Sequence, residues 1–344
     1  MNIDLLKRLC ETPGVPGHED RVRALIEAEI AGLFDTVSVD PMGSLHCVRK
    51  ARSNGTGQKI LLLCHMDEIG FLVSHISDTG FLYVQPVGGF DVRNLFSRRV
   101  RVCARDGDIQ AVMNPGGRPV HIAKPEDRKR IPELSEFFID TGLGEAAKER
   151  VRIGDPVVMD EPFLEMGDKL VSKALDNRIA CWLGIEALRG LDPAKGSAEI
   201  HVVFTVQEEV GLRGARTASY AVRPDIAIGV DTTLACDTPG VPEPERTTLQ
   251  GAGFGLHLRD SSFIADRALT EEIAALAEAE NIPYQRTMLA SGGQDGAAGQ
   301  QAAAGARAFA IVVGTRYIHT VTEMIHKTDL AAARDILIAY LSKS

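Results

Sequence analysis

The run Lys59-Ile-Leu-Leu-Leu-Cys-His65 holds no polar residue between its ends. A strand with one solvated face would alternate, so an unbroken apolar run of this length reads as a strand buried on both faces. Such strands sit in largely parallel sheets with helices packed on either side. Comparable runs recur at 199–206, at Asp225-Ile-Ala-Ile-Gly-Val230, near 254–258 and at 308–313, with helical patterns between several of them. The expected fold class is therefore α/β: a mixed, mainly parallel sheet sandwiched by helices.

At 344 residues, one large or two smaller domains are expected. Helices are predicted over 2–10 and 19–33, the latter from the spacing of Val22, Leu25, Ile26, Ile30 and Leu33. Short strands follow at 37–39 and 45–48. From about 70 to 164 the texture changes. Short alternating runs such as Phe71-Leu-Val-Ser and Arg99-Val-Arg-Val are separated by Gly, Asp and Pro turns, and no long helical pattern occurs. We read 70–164 as an inserted β-rich, barrel-like domain serving assembly or access, and 1–69 with 165–344 as one α/β domain. In the latter, further helices are predicted from near Asp176, over 267–280 and over 329–342, and the strand at 225–230 is expected to stop before Asp231.

The charge balance is 38 basic against 47 acidic residues, a net −9. That argues against a nucleic-acid partner, which requires a basic face. The local runs Arg98-Arg-Val-Arg101 and Arg128-Lys-Arg130 read as solvated or interface charges. No apolar run approaches the roughly 20 residues of a membrane span, and Met1–Arg8 lacks a basic-then-apolar signal pattern. A cytoplasmic location and no membrane partner are expected. The six cysteines, at 10, 47, 64, 103, 181 and 236, are too far apart for a thiolate metal or redox pair and read as buried thiols.

Metal-competent side chains recur where apolar strands stop. His65 and Asp67 follow the first run, Glu208 and Glu209 the second, and Asp231 the third; Asp176 stands at a helix start, and His319 a few residues past the last strand. Each has an ordinary alternative: a solvated Glu pair, a helix cap at Asp176, a turn at Asp231, a surface His319. In an open α/β sheet, however, ligands gather at the carboxyl ends of strands, and a shared metal site accounts for all of them together. Three carboxylates and two neutral imidazoles carry −3. Two divalent cations with one hydroxide restore neutrality, and without them the acids crowd one cleft. Nitrogen and oxygen donors without thiolate suit Zn²⁺ or Co²⁺, with Mn²⁺ also compatible. Glu208 is then available to take a proton from a metal-bound water attacking a carbonyl, while Glu209 binds metal. Asp67, on the same side of an extended chain as His65, can accept the imidazole N–H.

With these residues the chain resembles the tetrahedral-type (TET) metallo-aminopeptidases, which include glutamyl and deblocking aminopeptidases. The resemblance spans essentially the whole sequence. It rests on Glu11-Thr-Pro-Gly-Val-Pro-Gly-His-Glu-Asp20, His65-Met-Asp-Glu-Ile-Gly-Phe71, Pro86-Val-Gly-Gly89, Lys173-Ala-Leu-Asp-Asn-Arg178 and Thr205-Val-Gln-Glu-Glu-Val-Gly-Leu-Arg-Gly-Ala215. Asp231-Thr-Thr, Asp237-Thr-Pro-Gly240, Ser291-Gly-Gly and Thr315-Arg-Tyr-Ile-His319 complete it. The resemblance implies that Asp176 bridges two metals, with His65 and Asp231 completing one site and Glu209 and His319 the other. Glu208 becomes the general base and Asp67 the orienting residue. It implies short peptides as substrates and a dimer-based homo-oligomer of the tetrahedral dodecamer kind. Gln294 and Gly296 stand where Thr and Ala are more usual, and Val321 where Pro is. A metal-dependent deacylase of N-acyl amino acids, or an endoglucanase-like glycan hydrolase, are the alternatives on the same residues. The preferred N-terminal residue and the physiological metal are not legible.

Overall fold

The computed structural model describes residues 1–52 and 57–344. Among these, the strands form an eight-stranded mixed sheet, a three-stranded sheet and a closed barrel. Across the large sheet the order is Thr36–Val39, Leu45–Arg49, Glu199–Thr205, Lys59–His65, Ile226–Leu234, Arg307–Thr315, Phe254–Arg259 and Tyr284–Met288. The four central strands, from Glu199–Thr205 to Arg307–Thr315, pair in parallel. Antiparallel pairing is confined to the flanks.

Helices cover both faces, which explains the unbroken apolar run. Ile60, Leu62 and Cys64 point to one face, packed with the helices Ile3–Glu11, Leu175–Arg189 and Lys327–Lys343; Leu61 and Leu63 point to the other, against Ala215, Ala218 and Ala298. The Leu175–Arg189 helix presses closely on the sheet. A Cβ at Gly184 would stand 3.1 Å from Val202 and 3.2 Å from the Cys64 sulfur. Trp182 is fully buried in this layer and donates its indole N–H to the Asn2 carbonyl at 2.8 Å.

The barrel is a single antiparallel circuit of Gly70–Ile76, Leu82–Val87, Phe137–Asp140, Ile109–Pro115, Arg98–Val102 and Pro156–Met159. Alternate residues fill its interior, among them Phe71, Val73, Val100, Met113, Ile139 and Val157. Three charges of the basic runs are paired: Arg99 with Glu161 at 2.6 Å, Arg101 with Asp160 at 2.5 Å, and Arg130 with Glu136. The six cysteines are free thiols, five of them buried. No described helix is long and apolar enough to cross a membrane.

Two elements depart from the bounds expected from the sequence, and one helix is unmarked in it. The helix predicted over 19–33 ends at Glu29, where Gly32 takes a positive φ of 80° that a right-handed helix cannot continue. The strand expected to stop before Asp231 runs on to Leu234, because the Arg307–Thr315 strand pairs with it along its whole length. The helix Arg213–Val222 lacks a large apolar stripe and packs through Ala215 and Ala218.

Candidate metal centre

The sheet topology brings the strand tips to one edge. Thr205 lies opposite His65 in the parallel pair, so the chain leaves both strands on the same side. The Ile226–Leu234 strand pairs with Lys59–His65 only as far as Gly229 opposite Leu63. It then continues along Arg307–Thr315 and carries Asp231 beyond the last residues paired with its inner neighbour, level with His65.

Asp176 arrives from the helix on one face. It and Asn177 lie outside helical dihedrals at the start of that element. Asn177 caps the helix instead: its side-chain oxygen accepts from Ala180 N at 3.1 Å, and its amide donates to the Val230 carbonyl at 2.9 Å. The Asp176 carboxylate is thereby left to face the two histidines. One oxygen is 3.4 Å from His65 Nε2, and the other is 3.6 Å from His319 Nε2. His65 Nε2 is also 3.9 Å from Glu208 and 4.0 Å from Asp231. His319 Nε2 is 3.3 Å from Glu209.

Six of the residues singled out in the sequence thus meet in one place, and their donor atoms fall into sets that can each surround a cation. His65, Asp176 and Asp231 form one, and Asp176, Glu209 and His319 another; within each set the atoms lie within 4.8 Å of one another. His65, Glu208 and Glu209 satisfy the same limit. The cluster floors a cavity of about 570 Å³.

Asp67 meets His65 through both its main chain and its carboxylate. The His65 Nδ1–H donates to the Asp67 main-chain carbonyl at 3.1 Å, with the carboxylate farther away at 3.5 Å. That bond leaves Nε2 as the imidazole's lone-pair donor toward the cluster. The carboxylate itself accepts the backbone N–H groups of Glu208 and Glu209, each at 3.0 Å. Glu323 mirrors it, accepting the N–H of Asp176 at 2.9 Å and of His319 at 2.8 Å. Two buried carboxylates therefore each clamp the main chain of two cluster residues.

Glu323, Glu68, Glu19 and Asp295 were not read as site residues from the sequence. Glu68 binds Lys173 at 2.5 Å and Arg178 at 3.1 Å, the residues bracketing Asp176, and all three are buried. Glu19 accepts from Gln207 N at 3.1 Å beneath the Glu208 loop, and burial followed by the nearby Asp67 pushes its carboxyl up to about 7. Asp295 is buried behind the cluster and accepts the Thr205 hydroxyl; burial pushes it up to about 6. The departure Gln294 is wedged beside it. Its oxygen accepts from Gly296 N at 2.5 Å and occupies the space a side chain at 229 would need. Val321, the other departure, packs into the barrel core and so ties the His319 loop to the barrel.

The protonation pattern is that of a site built for cations. Burial raises Glu208, Asp231 and Glu209, and neighbouring acids add to it: Asp231 acts on Glu208, and Asp176 on the other two. Burial opposes charge on both imidazoles, but the acids outweigh it. Asp176 and Asp67 hold His65 well above its usual value, and Glu209 lifts His319 to about 10. Divalent ions held among these groups would relieve the crowding of like charge that raises the three acids. The donor set, all nitrogen and oxygen, fits such ions.

Comparison with known proteins agrees with this chemistry. The profile of the M42 glutamyl aminopeptidase family matches residues 43–336. A putative aminopeptidase of Acetivibrio thermocellus is 37% identical over 337 residues, covering 97% of each chain. The solved aminopeptidase APDkam598 of the archaeon Desulfurococcus kamchatkensis superposes with a TM-score of 0.93 at 35% identity, over 99% of this chain and 94% of that one. The Pyrococcus horikoshii TET1 peptidase, described as assembling into a tetrahedron or a large octahedral shell, superposes at 0.88 with 30% identity over 99% of each.

Proposed function

The chain belongs to the M42 glutamyl aminopeptidase family and is a metal-dependent aminopeptidase; we propose that it trims short peptides from the N-terminus using two divalent cations and Glu208 as general base. The observation that carries this reading is the Asp176 carboxylate, with one oxygen turned to each histidine. His65 and Asp231 would complete one ion's donors, and Glu209 and His319 the other's. Zn²⁺ or Co²⁺ suits these donors best, with Mn²⁺ compatible. When bound, such ions polarise a carbonyl and acidify water.

The remaining work falls to the chain. Glu208 comes within 3.9 Å of His65 Nε2 and is not needed in either of the two sets that share Asp176. Burial raises its proton affinity, which suits a base that must hold the proton it removes from the attacking water and pass it to the leaving amine. Asp67 fixes its backbone through the Glu208 N–H. Acidic groups at the cavity floor favour a substrate with a free ammonium end, which limits cleavage to the terminal residue.

We further propose that 1–69 with 165–344 form the catalytic domain and 70–164 an inserted assembly domain. The tetrahedral relative supports a homo-oligomer, of the dimer-based dodecameric kind, for this chain too.

Glu208→Gln tests the mechanism. Hydrolysis of aminoacyl-anilides should fall by roughly 10²–10⁴-fold while metal content, measured by elemental analysis, stays at the wild-type level. Near-normal turnover removes Glu208 from the reaction. Cleavage of N-acyl amino acids in preference to free-amine substrates would make the enzyme a deacylase, and activity on glycans that survives chelation would make it a glycosidase.

A further inference from the structure

The cavity above the cluster has walls of a definite character. Leu212, Leu234, Leu289 and Ile318 line it with Thr232 and Thr233, and none of the described lining residues is Lys or Arg. The charged side chains facing the space are the cluster carboxylates and imidazoles. Leu234 leaves 43% of its surface open, so its apolar face is available for burial by a ligand.

Resting on the aminopeptidase reading, we propose that this site selects peptides whose N-terminal residue carries an uncharged, apolar side chain of leucine size, rather than a glutamyl or lysyl residue. Desolvation separates the three kinds of side chain. A carboxylate side chain entering this space leaves water and finds no cation on the walls to pair with. An ammonium side chain finds no wall carboxylate beyond those engaged in the cluster. An aliphatic side chain meets four aliphatic ones and gains by about 25 cal/mol per Å² it covers.

The nearby cations are committed elsewhere. Arg316 is held by both oxygens of Asp237, at 2.6 and 2.8 Å. Arg213 donates to the Gln207 side chain at 3.3 Å. Arg259 donates to the Leu289 main-chain carbonyl at 3.4 Å and does not line the cavity. The selectivity is therefore assigned to the strand end at Leu234 and the loops bearing Leu212, Leu289 and Ile318.

The experiment compares leucyl-, glutamyl- and lysyl-anilides on the metal-loaded enzyme, with acetyl-leucyl-anilide as control. The leucyl substrate should lead in kcat/KM by at least about 100-fold. Binding of free L-leucine, L-glutamate and L-lysine, measured by calorimetry, should rank in the same order. Leu234→Arg places a cation on the wall at a half-open position, and should narrow or reverse the leucyl-over-glutamyl ratio. A glutamyl or lysyl lead, or rates within about tenfold of each other, overturns the assignment alone; a glutamyl lead lost in Arg259→Ala would make that arginine the counter-ion. Failure of all three free-amine substrates, or cleavage of the acetylated one in their place, overturns the aminopeptidase reading, and this one with it.

Discussion

The two halves of the cluster are built in contrasting ways. His65 and Asp231 stand on neighbouring central strands, and their side chains are almost sealed, at 2% and 8% exposure. His319 stands on a loop with a positive φ of 63° and leaves 33% of its side chain open. The inner half borrows its rigidity from the sheet. The outer half is held by point attachments: Glu323 on the His319 N–H, and Val321 in the barrel. An ion in the outer half is therefore expected to be held less tightly and to exchange first.

The largest effect belongs to the inner half. Glu68→Gln removes the anion between buried Lys173 and Arg178 and should cost roughly 3–5 kcal/mol in denaturant unfolding of the metal-free protein. A loss below about 1 kcal/mol would show that this triad does not hold the segment around Asp176. Next come the proposed ligands themselves. Asp231→Asn should weaken the tighter cation by more than about 100-fold in a chelator competition, whereas His319→Ala should lose the weaker cation and keep the tighter. Equal losses from both variants would erase the contrast drawn here.

Much of this was written in the sequence. The Lys59–His65 strand was legible because burial on both faces suppresses alternation, and Asp231 and His319 because metal-competent residues after strands are conspicuous. Glu68 was not, since it reads as one more acid after Asp67 and its partners stand 105 and 110 positions away. Glu323 escaped for the same reason: its partners are backbone N–H groups, which no side-chain pattern marks. The Tyr284–Met288 strand was missed because it is a sheet edge with one buried residue, Thr287. Phe137–Asp140 and Pro156–Met159 are too short to show a period.

The third test concerns pH. Burial, then Asp67, raises Glu19 to about 7, above the roughly 4.3 of an unfolded chain. The folded state thus holds a proton that the unfolded state has released, and stability contributed by this group is present below about pH 4 and lost as pH rises to about 7. Glu19→Gln keeps an oxygen for the Gly17 and Gln207 N–H groups without the charge. In metal-free protein the variant should gain on wild type by about 3–4 kcal/mol between pH 4 and pH 8. A pH-independent difference would show that Glu19 stays ionised. The smallest effect is expected from Val321→Ala, about 1–2 kcal/mol of stability, with weaker binding of the second cation and an unchanged first. A matching loss at both would mean that the loop attachment serves the whole centre.

The presence of Val321 among the barrel's interior side chains has an evolutionary consequence. The barrel cannot be traded for another module of similar outline, as a mere spacer could. Any replacement must offer a socket for that valine, or the neighbouring imidazole loses its footing. Chimaeras between relatives should therefore keep the outer cation only where the incoming barrel offers that socket.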